Sequence, residues 1–272
     1  MFEKLAGYVR RYQDNVSVYV ENLRTGAVYE NNADKMMKSA SVVKLFILWE
    51  FYRRVAAGTL DPQALYALKD SDREGTTPYH TGILRDFHTG IELTLEDIVR
   101  MNVVLSDDTA ANILLRMFGL ESVQRDIQEL GLRSTRFDRI MNDYEGARQG
   151  RENYTSCRDV ADFYKELLSA RRMPRELCDK MLQILTEQRY TYGLPALLDE
   201  DLLIAHKTGG ITEFGTMHDL GILYGLEDKK PLLICCVMTQ FEPDIPQFQP
   251  FALDIISRVA QLAYEEASGQ GN

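Results

Sequence analysis

SVVKLFILWEFYRRVAAG, residues 41–58, decides the fold. The run is long, lacks the apolar–polar alternation of a strand and closes on Gly58, so it predicts a largely buried helix. The chain before it reads differently. A short amphipathic helix, Phe2 to Tyr12, leads into VSVYVENL (Val16 to Leu23), whose β-branched and aromatic residues favour a strand. Arg24-Thr25-Gly26 then makes a turn, and Ala27 to Asn32 forms the returning hairpin strand. After Gly58 helical patterns continue: Asp61 to Leu68, Leu95 to Val104, Thr109 to Phe118, Glu121 to Leu130, Arg158 to Ala170 and Arg175 to Thr186. Between them, Phe137 to Tyr154 reads as a long loop, a kind of segment that in a compact domain often carries function. Strands resume in LLIAHKTGG (Leu202 to Gly210), DLGILYGL (Asp219 to Leu226) and PLLICCVM (Pro231 to Met238), and a helix over Phe251 to Tyr264 closes the order. The expected class is α+β. Residues 1–40 and 188–272 build one antiparallel sheet covered by terminal helices, residues 41–187 an all-helical lobe, and a cleft lies between them.

Composition sets outer bounds. With 272 residues, 45% apolar and 26% charged, the chain has ample material for a globular core. Its net charge of −10, spread along the sequence, repels phosphate backbones, so nucleic acid is not an expected partner. No apolar run approaches the roughly 20 residues of a membrane span, and MFEKLAGYVRRYQDN has no signal-peptide core. Cys157, Cys178, Cys235 and Cys236 have no metal-ligand spacing, and adjacent strand residues point to opposite faces. Four buried free thiols are expected, with no metal and no cofactor.

Three short motifs stand in order: Ser41-Val42-Val43-Lys44, Ser106-Asp107-Asp108 and Lys207-Thr208-Gly209. Each alone fits a bland reading, as a helix cap, a second cap and a strand end. Together they resemble the S-x-x-K, S-D-N and K-T-G set of class A serine β-lactamases and the related penicillin-binding proteins. The similarity is wider than the motifs. Ser106 to Asn112 differs at one residue from the family's S-D-N-T-A-A-N. Gly82-Ile83-Leu84, Leu93-Thr94-Leu95, Arg136-Phe137-Asp138-Arg139 and the run from Leu194 to Gly209 are also family-like.

The resemblance implies a β-lactamase/transpeptidase-like fold and an acyl-enzyme on Ser41. At a helix start that hydroxyl sits beside unpaired N–H groups. Lys44, three residues on and on the same face, is the expected proton acceptor, and Ser106 the relay to the leaving nitrogen. Lys207 and Thr208 would hold a substrate carboxylate, Gly209 would let substrate lie along the strand edge, and Ser41 and Gly210 N–H groups would form the oxyanion hole.

Three departures qualify this. The class A deacylation glutamate falls at Met141, which cannot accept a proton; Asp143 or Glu145 are the candidate substitutes. The motif asparagine is Asp108, an acceptor-only group when ionised, which would pair with Lys44 or meet a donor on the substrate. Gly215-Thr216 is followed by Met217 and His218 rather than arginine, leaving the carboxylate clamp to Lys207 and Thr208, helped by His218. His206 is expected only to pack.

The expected function is therefore a serine hydrolase acylated by β-lactams or D-Ala-D-Ala-like amides, with slow β-lactam turnover. The alternatives are a D,D-peptidase, an esterase or amidase on the same Ser–Lys pair, and a receptor that stays acylated. The partner is a small-molecule or peptide substrate with a carboxylate. The family works outside the cytoplasm, so an extracytoplasmic location is expected, while the sequence leaves oligomeric state open.

Overall fold

Helix α1 (Glu3–Val9) leads into β1 (Val16–Asn22), which pairs antiparallel with β2 (Val28–Asn31), as the hairpin signal predicts. The arrangement is that of a computed structural model, described for residues 1–73, 80–242, 244–245 and 247–269. After the two-residue strand β3 (Met37–Lys38) comes helix α2 (Lys44–Ala56), in which every residue from Lys44 to Tyr52 is buried. A helix with no exposed face must be surrounded, and the rest of the helical block surrounds it.

That block contains β4 (Leu65–Ala67), β5 (Glu92–Thr94), α3 (Leu95–Val104), α4 (Asp108–Phe118), α5 (Leu120–Glu129), α6 (Tyr144–Arg148), β6 (Tyr154–Thr155), α7 (Cys157–Ser169) and α8 (Arg175–Thr186). The helix expected over Asp61 to Leu68 is absent: Leu65 to Ala67 pair antiparallel with Glu92 to Thr94. Leu65 is 63% exposed, so no apolar stripe is available to dock a helix there, and pairing with β5 satisfies the backbone instead. The Phe137 to Tyr154 loop also holds one short helix, α6, capped by Asp143, whose Oδ1 accepts from Gly146 N–H at 2.8 Å.

The chain then adds β7 (Ile204–Ile211), β8 (Thr216–Tyr224), β9 (Pro231–Gln240) and α9 (Phe248–Ser268), which starts before Phe251. The antiparallel sheet has the order β2-β1-β9-β8-β7. Its faces read directly from the two-residue period. Tyr19, Leu220, Ile222, Cys236 and Met238 pack towards α2 and the helical block, while Val18, Val20, Leu223, Cys235 and Val237 pack under α1 and α9. Among the described residues no helix is long and apolar enough to cross a membrane.

All four cysteines are buried and unpaired, and Cys235 and Cys236 lie on opposite faces. Burial pushes the Cys157 thiol up to about 12 and raises Cys236 as well. Thiol titration is expected to find four groups in denatured, unreduced protein and slow reaction in native protein; two groups or fewer in the denatured sample would contradict this.

Between α2 and α5 lies a buried charge cluster. Glu50 meets Arg53 and Arg54 at 2.6 Å each and accepts from Ser122 Oγ at 2.6 Å, and Asp126 Oδ1 meets Arg53 at 2.7 Å. Burial, and then Glu50 beside it, push the Asp126 carboxyl up to about 8. The folded chain thus holds a proton that the unfolded chain releases at ordinary carboxylate pKa. This contribution to stability is complete below that pKa and is lost as pH rises through about 8. Between pH 5 and 8 the unmodified protein should lose up to about 1.4 kcal/mol per pH unit from this group. Asp126→Asn should flatten that slope in denaturant titrations; an unchanged slope would contradict the assignment.

Candidate active site

Ser41 lies in a tight 3₁₀ turn, Ala40–Val43, that runs straight into α2. Ala40 has φ 46°, a left-handed conformation that is costly for a residue with a Cβ, and Val42 N–H closes the turn on Ser39 O at 3.0 Å. Strand β7 holds the turn in place. A Cβ at Gly209 would lie 2.9 Å from Val42 Cγ2 and 3.0 Å from Ser39 O, so only glycine permits the approach. The sequence reading gave Gly209 to substrate; its space is filled by the Ala40–Val43 turn.

Ser106 is also left-handed, with φ 51°, at the corner before α4. Asp107 stabilises that corner: Oδ1 caps α4 by accepting from Ala110 N–H at 2.9 Å, and Oδ2 accepts from Ile83 and Leu84 N–H at 2.7 and 2.8 Å. A Cβ on Gly82 would sit 2.2 Å from Asp107 Oδ2, which explains the glycine of that motif. Thr81 Oγ1 donates to Ser106 O at 2.8 Å.

The motif side chains meet at a buried polar centre. Lys44 Nζ contacts Ser106 O, Ser106 Oγ at 3.3 Å and Asp108 Oδ1 at 2.7 Å. Lys207 Nζ is 3.0 Å from Ser106 Oγ and 2.8 Å from Thr208 O. Asp108 Oδ2 accepts from Thr81 N–H at 3.0 Å and Asn142 Nδ2 at 3.1 Å. Burial alone would raise the Asp108 carboxyl, but Lys44 and these donors hold it below the usual carboxylate range. Burial, followed by the Lys44 charge, pushes Lys207 well below the ordinary lysine value. Among the described residues the Ser41 hydroxyl has no hydrogen-bond partner, so the expected Ser41–Lys44 contact is replaced by the Lys44–Asp108 ion pair.

Ser41 opens onto a cavity of about 310 Å³ that also exposes Asp108, Met141, Asn142, Glu152 and Gly210. Ser41 and Gly210 both line it, as an oxyanion hole requires. Lys207 and Thr208 are not on it; the Lys207 nitrogen turns to Ser106 and Thr208 O instead. His218 does not join a clamp. Its ring is buried, Nε2 is 2.8 Å from Lys38 O, and Nδ1 accepts from Thr239 N–H at 3.2 Å, which ties β3 to the sheet. Burial lowers its pKa to about 4, so it stays neutral. His206 pairs with Asp219 Oδ1 at 2.8 Å, away from the cavity.

Met141, also on the lining, is fixed through its backbone: its N–H donates to Asn112 Oδ1 at 2.8 Å and its carbonyl accepts from Asn112 Nδ2 at 3.0 Å. Neither proposed substitute reaches the cavity. Asp143 caps α6, and Glu145 is exposed and paired with Arg148 and Gln149 at 2.8 and 2.9 Å. Glu152 does line the cavity, bound to Arg139 at 2.7 Å. Sequence reasoning missed this buried pair, along with Thr81, Asn142 and the buried ring of His80, 3.8 Å from Asp108 Oδ2. Asn112 alone carried a signal, as the last residue of the matched motif.

Comparison with known proteins shows the family and the fold. A β-lactamase of Streptomyces fradiae is 27% identical over 253 residues, covering 89% of this chain and 79% of that protein. The crystal structure of a β-lactamase from Sphaerobacter thermophilus is 27% identical and superimposes with a TM-score of 0.86 over 99% of this chain and 98% of that one. PBP-A, 23% identical with a TM-score of 0.81 over 96% of both chains, shares the fold. The family model described as "Beta-lactamase enzyme family" matches residues 1–267. The chain therefore belongs to that family of acyl-enzyme serine hydrolases.

Proposed function

We propose that Ser41 is acylated by β-lactams or D-Ala-D-Ala-like amides and that the acyl-enzyme is released slowly. The supporting observation is the lining of the cavity that Ser41 opens onto. Where the class A pattern places a glutamate it presents the Met141 thioether, and its buried carboxylates, Asp108 and Glu152, are each engaged by a cation. Neither buried carboxylate is free to deprotonate a water beside Met141, and the other carboxylate of the lining, Glu213, is exposed to solvent. The reactive centre lies between the sheet (residues 1–40 and 188–272) and the helical block (residues 41–187), and the ligand is a small molecule or peptide.

A second reading, a penicillin-binding protein that holds its adduct, is favoured by the likeness to PBP-A. A variant of that protein has been solved as an acyl-enzyme complex with penicillin G. Intact mass after exposure to penicillin and removal of excess separates the readings. An adduct that decays supports the hydrolase, a permanent one the receptor, and no adduct an esterase or amidase on the same centre.

A further inference from the structure

We propose that Lys38 is a positioning residue that sets the width of the Ser41 cavity, and so which acyl side chains fit it, by clasping the turn between β7 and β8 to the loop ahead of β6. The inference rests on the acylation of Ser41 proposed above and names the group that selects the substrate there.

Two segments supply most of the lining. Arg139, Met141, Ala147 and Glu152 come from the loop, and Ile211 and Phe214 from the end of β7 and the 3₁₀ turn Thr212–Phe214 that follows it. Lys38, on β3, touches both segments. Its Nζ lies 3.9 Å from Glu152 Oε2 and 3.4 Å from the centre of the Phe214 ring, a cation–π contact. The other oxygen of that carboxylate, Glu152 Oε1, is taken by Arg139 at 2.7 Å.

The backbone that carries the clasp is held on both sides. Lys38 pairs with Tyr154 across β3 and β6, and its carbonyl accepts from His218 Nε2 at 2.8 Å. Ser39 N–H then donates to Asn153 O at 2.9 Å, and Ser41 follows two residues later. The clasp and the nucleophile therefore share one short run of fixed backbone. Only the Lys38 side chain, 27% exposed, spans the gap to the turn.

Phe214 depends on that contact. It is 37% exposed and packs in neither apolar core, and among the described residues Lys38 makes its one ring contact. A ring with so little holding it is the part of the lining that yields most easily. With the ring held, the cavity measures about 310 Å³, at the low end for small-molecule sites. A slender apolar acyl chain fits among Met141, Ala147, Ile211 and Phe214. One that is bulky beside its carbonyl has to push Phe214 outwards, against the clasp.

The test compares two penicillins on the full chain, one with a benzyl side chain and one with a 2,6-dimethoxyphenyl side chain. The readout is the ratio of their second-order acylation rates, followed as adduct by intact mass. Lys38→Met keeps the stem and every backbone contact but removes the charge. It should shift the ratio towards the bulky substrate by about five-fold, the scale of one cation–π contact. The change should come from faster reaction with the bulky substrate, while the benzyl rate stays as it is. Lys38→Arg, which stacks on aromatic rings and pairs with carboxylates, should restore the original ratio. Phe214→Leu should reproduce the effect of Lys38→Met, and the double variant should add nothing further. A ratio within about two-fold of the unmodified protein in Lys38→Met, or equal losses on both substrates, overturns the proposal.

Proton spectra give a readout independent of activity. The Lys38 ε-methylene protons lie over the Phe214 ring and should resonate upfield of the other lysines, returning to the common position in Phe214→Leu. A spectrum with no such displaced pair overturns the clasp. If unmodified protein gives no adduct on Ser41, the acylation reading falls and the inference with it; an adduct whose substrate ratio ignores Lys38 removes the inference alone.

Discussion

Replacing Ser41 with alanine is expected to abolish covalent labelling by penicillin while leaving stability almost unchanged. The hydroxyl is half-buried and has no hydrogen-bond partner among the described residues, so its removal leaves no buried group unsatisfied. A change of within about 0.5 kcal/mol is expected in denaturant titrations. Function behaves differently, because among the lining residues only Ser41 lies in the turn that runs into α2, three residues before Lys44. Ser106 cannot substitute: its oxygen lies between two lysine nitrogens at 3.0 and 3.3 Å, and its side chain is off the cavity wall. Ser106→Ala should slow labelling by removing the hydroxyl that both lysines contact, without moving the adduct. Label retained in Ser41→Ala, or mapped to Ser106, would contradict the nucleophile assignment.

The second large effect is expected from Met141→Glu, in the opposite direction. The backbone at 141 is held from both sides by Asn112, so the substitution alters the wall and not the loop that carries it. Met141 is 8% exposed and lines the cavity that Ser41 opens onto. A carboxylate at that place supplies a buried base with no cation already paired to it, which Asp108 and Glu152 are not. A general base typically contributes 10²–10⁴ in rate, or about 3–5 kcal/mol of barrier, and deacylation should speed up on that scale. Acylation should change far less, because the groups around Ser106 are untouched. Asp143→Asn and Glu145→Gln should leave deacylation as it is, since neither side chain lines the cavity. The check is the single-turnover decay of the acyl-enzyme in the three variants; an unchanged decay in Met141→Glu would show that the wall is not the limiting element.

What the sequence made legible follows from what local pattern encodes. The strand runs and the buried helix after Ser41 were readable because period and length report burial, and the S-x-x-K, S-D-D and K-T-G motifs marked the polar centre. Leu65 to Ala67 were misread because three apolar residues carry no clear period, and the pairing that settles them comes from residues 92–94. Long-range partners were invisible for the same reason. Nothing in the local sequence says that His218 reaches Lys38, that Gly209 makes room for the turn that carries Ser41, or that Glu152 answers Arg139. Asp108 lies between these cases. The sequence showed the substitution and named Lys44 as one possible partner; three dimensions added the 2.7 Å contact and the two further donors that keep it charged.

Pre-steady-state kinetics with penicillin, followed by rapid quench and intact mass, test the central claim most directly. The account predicts a burst of about one equivalent of opened product, an adduct on Ser41 that accumulates in the same interval, and a slow steady state set by its decay. Rapid steady-state hydrolysis with no burst and no accumulated adduct would contradict it.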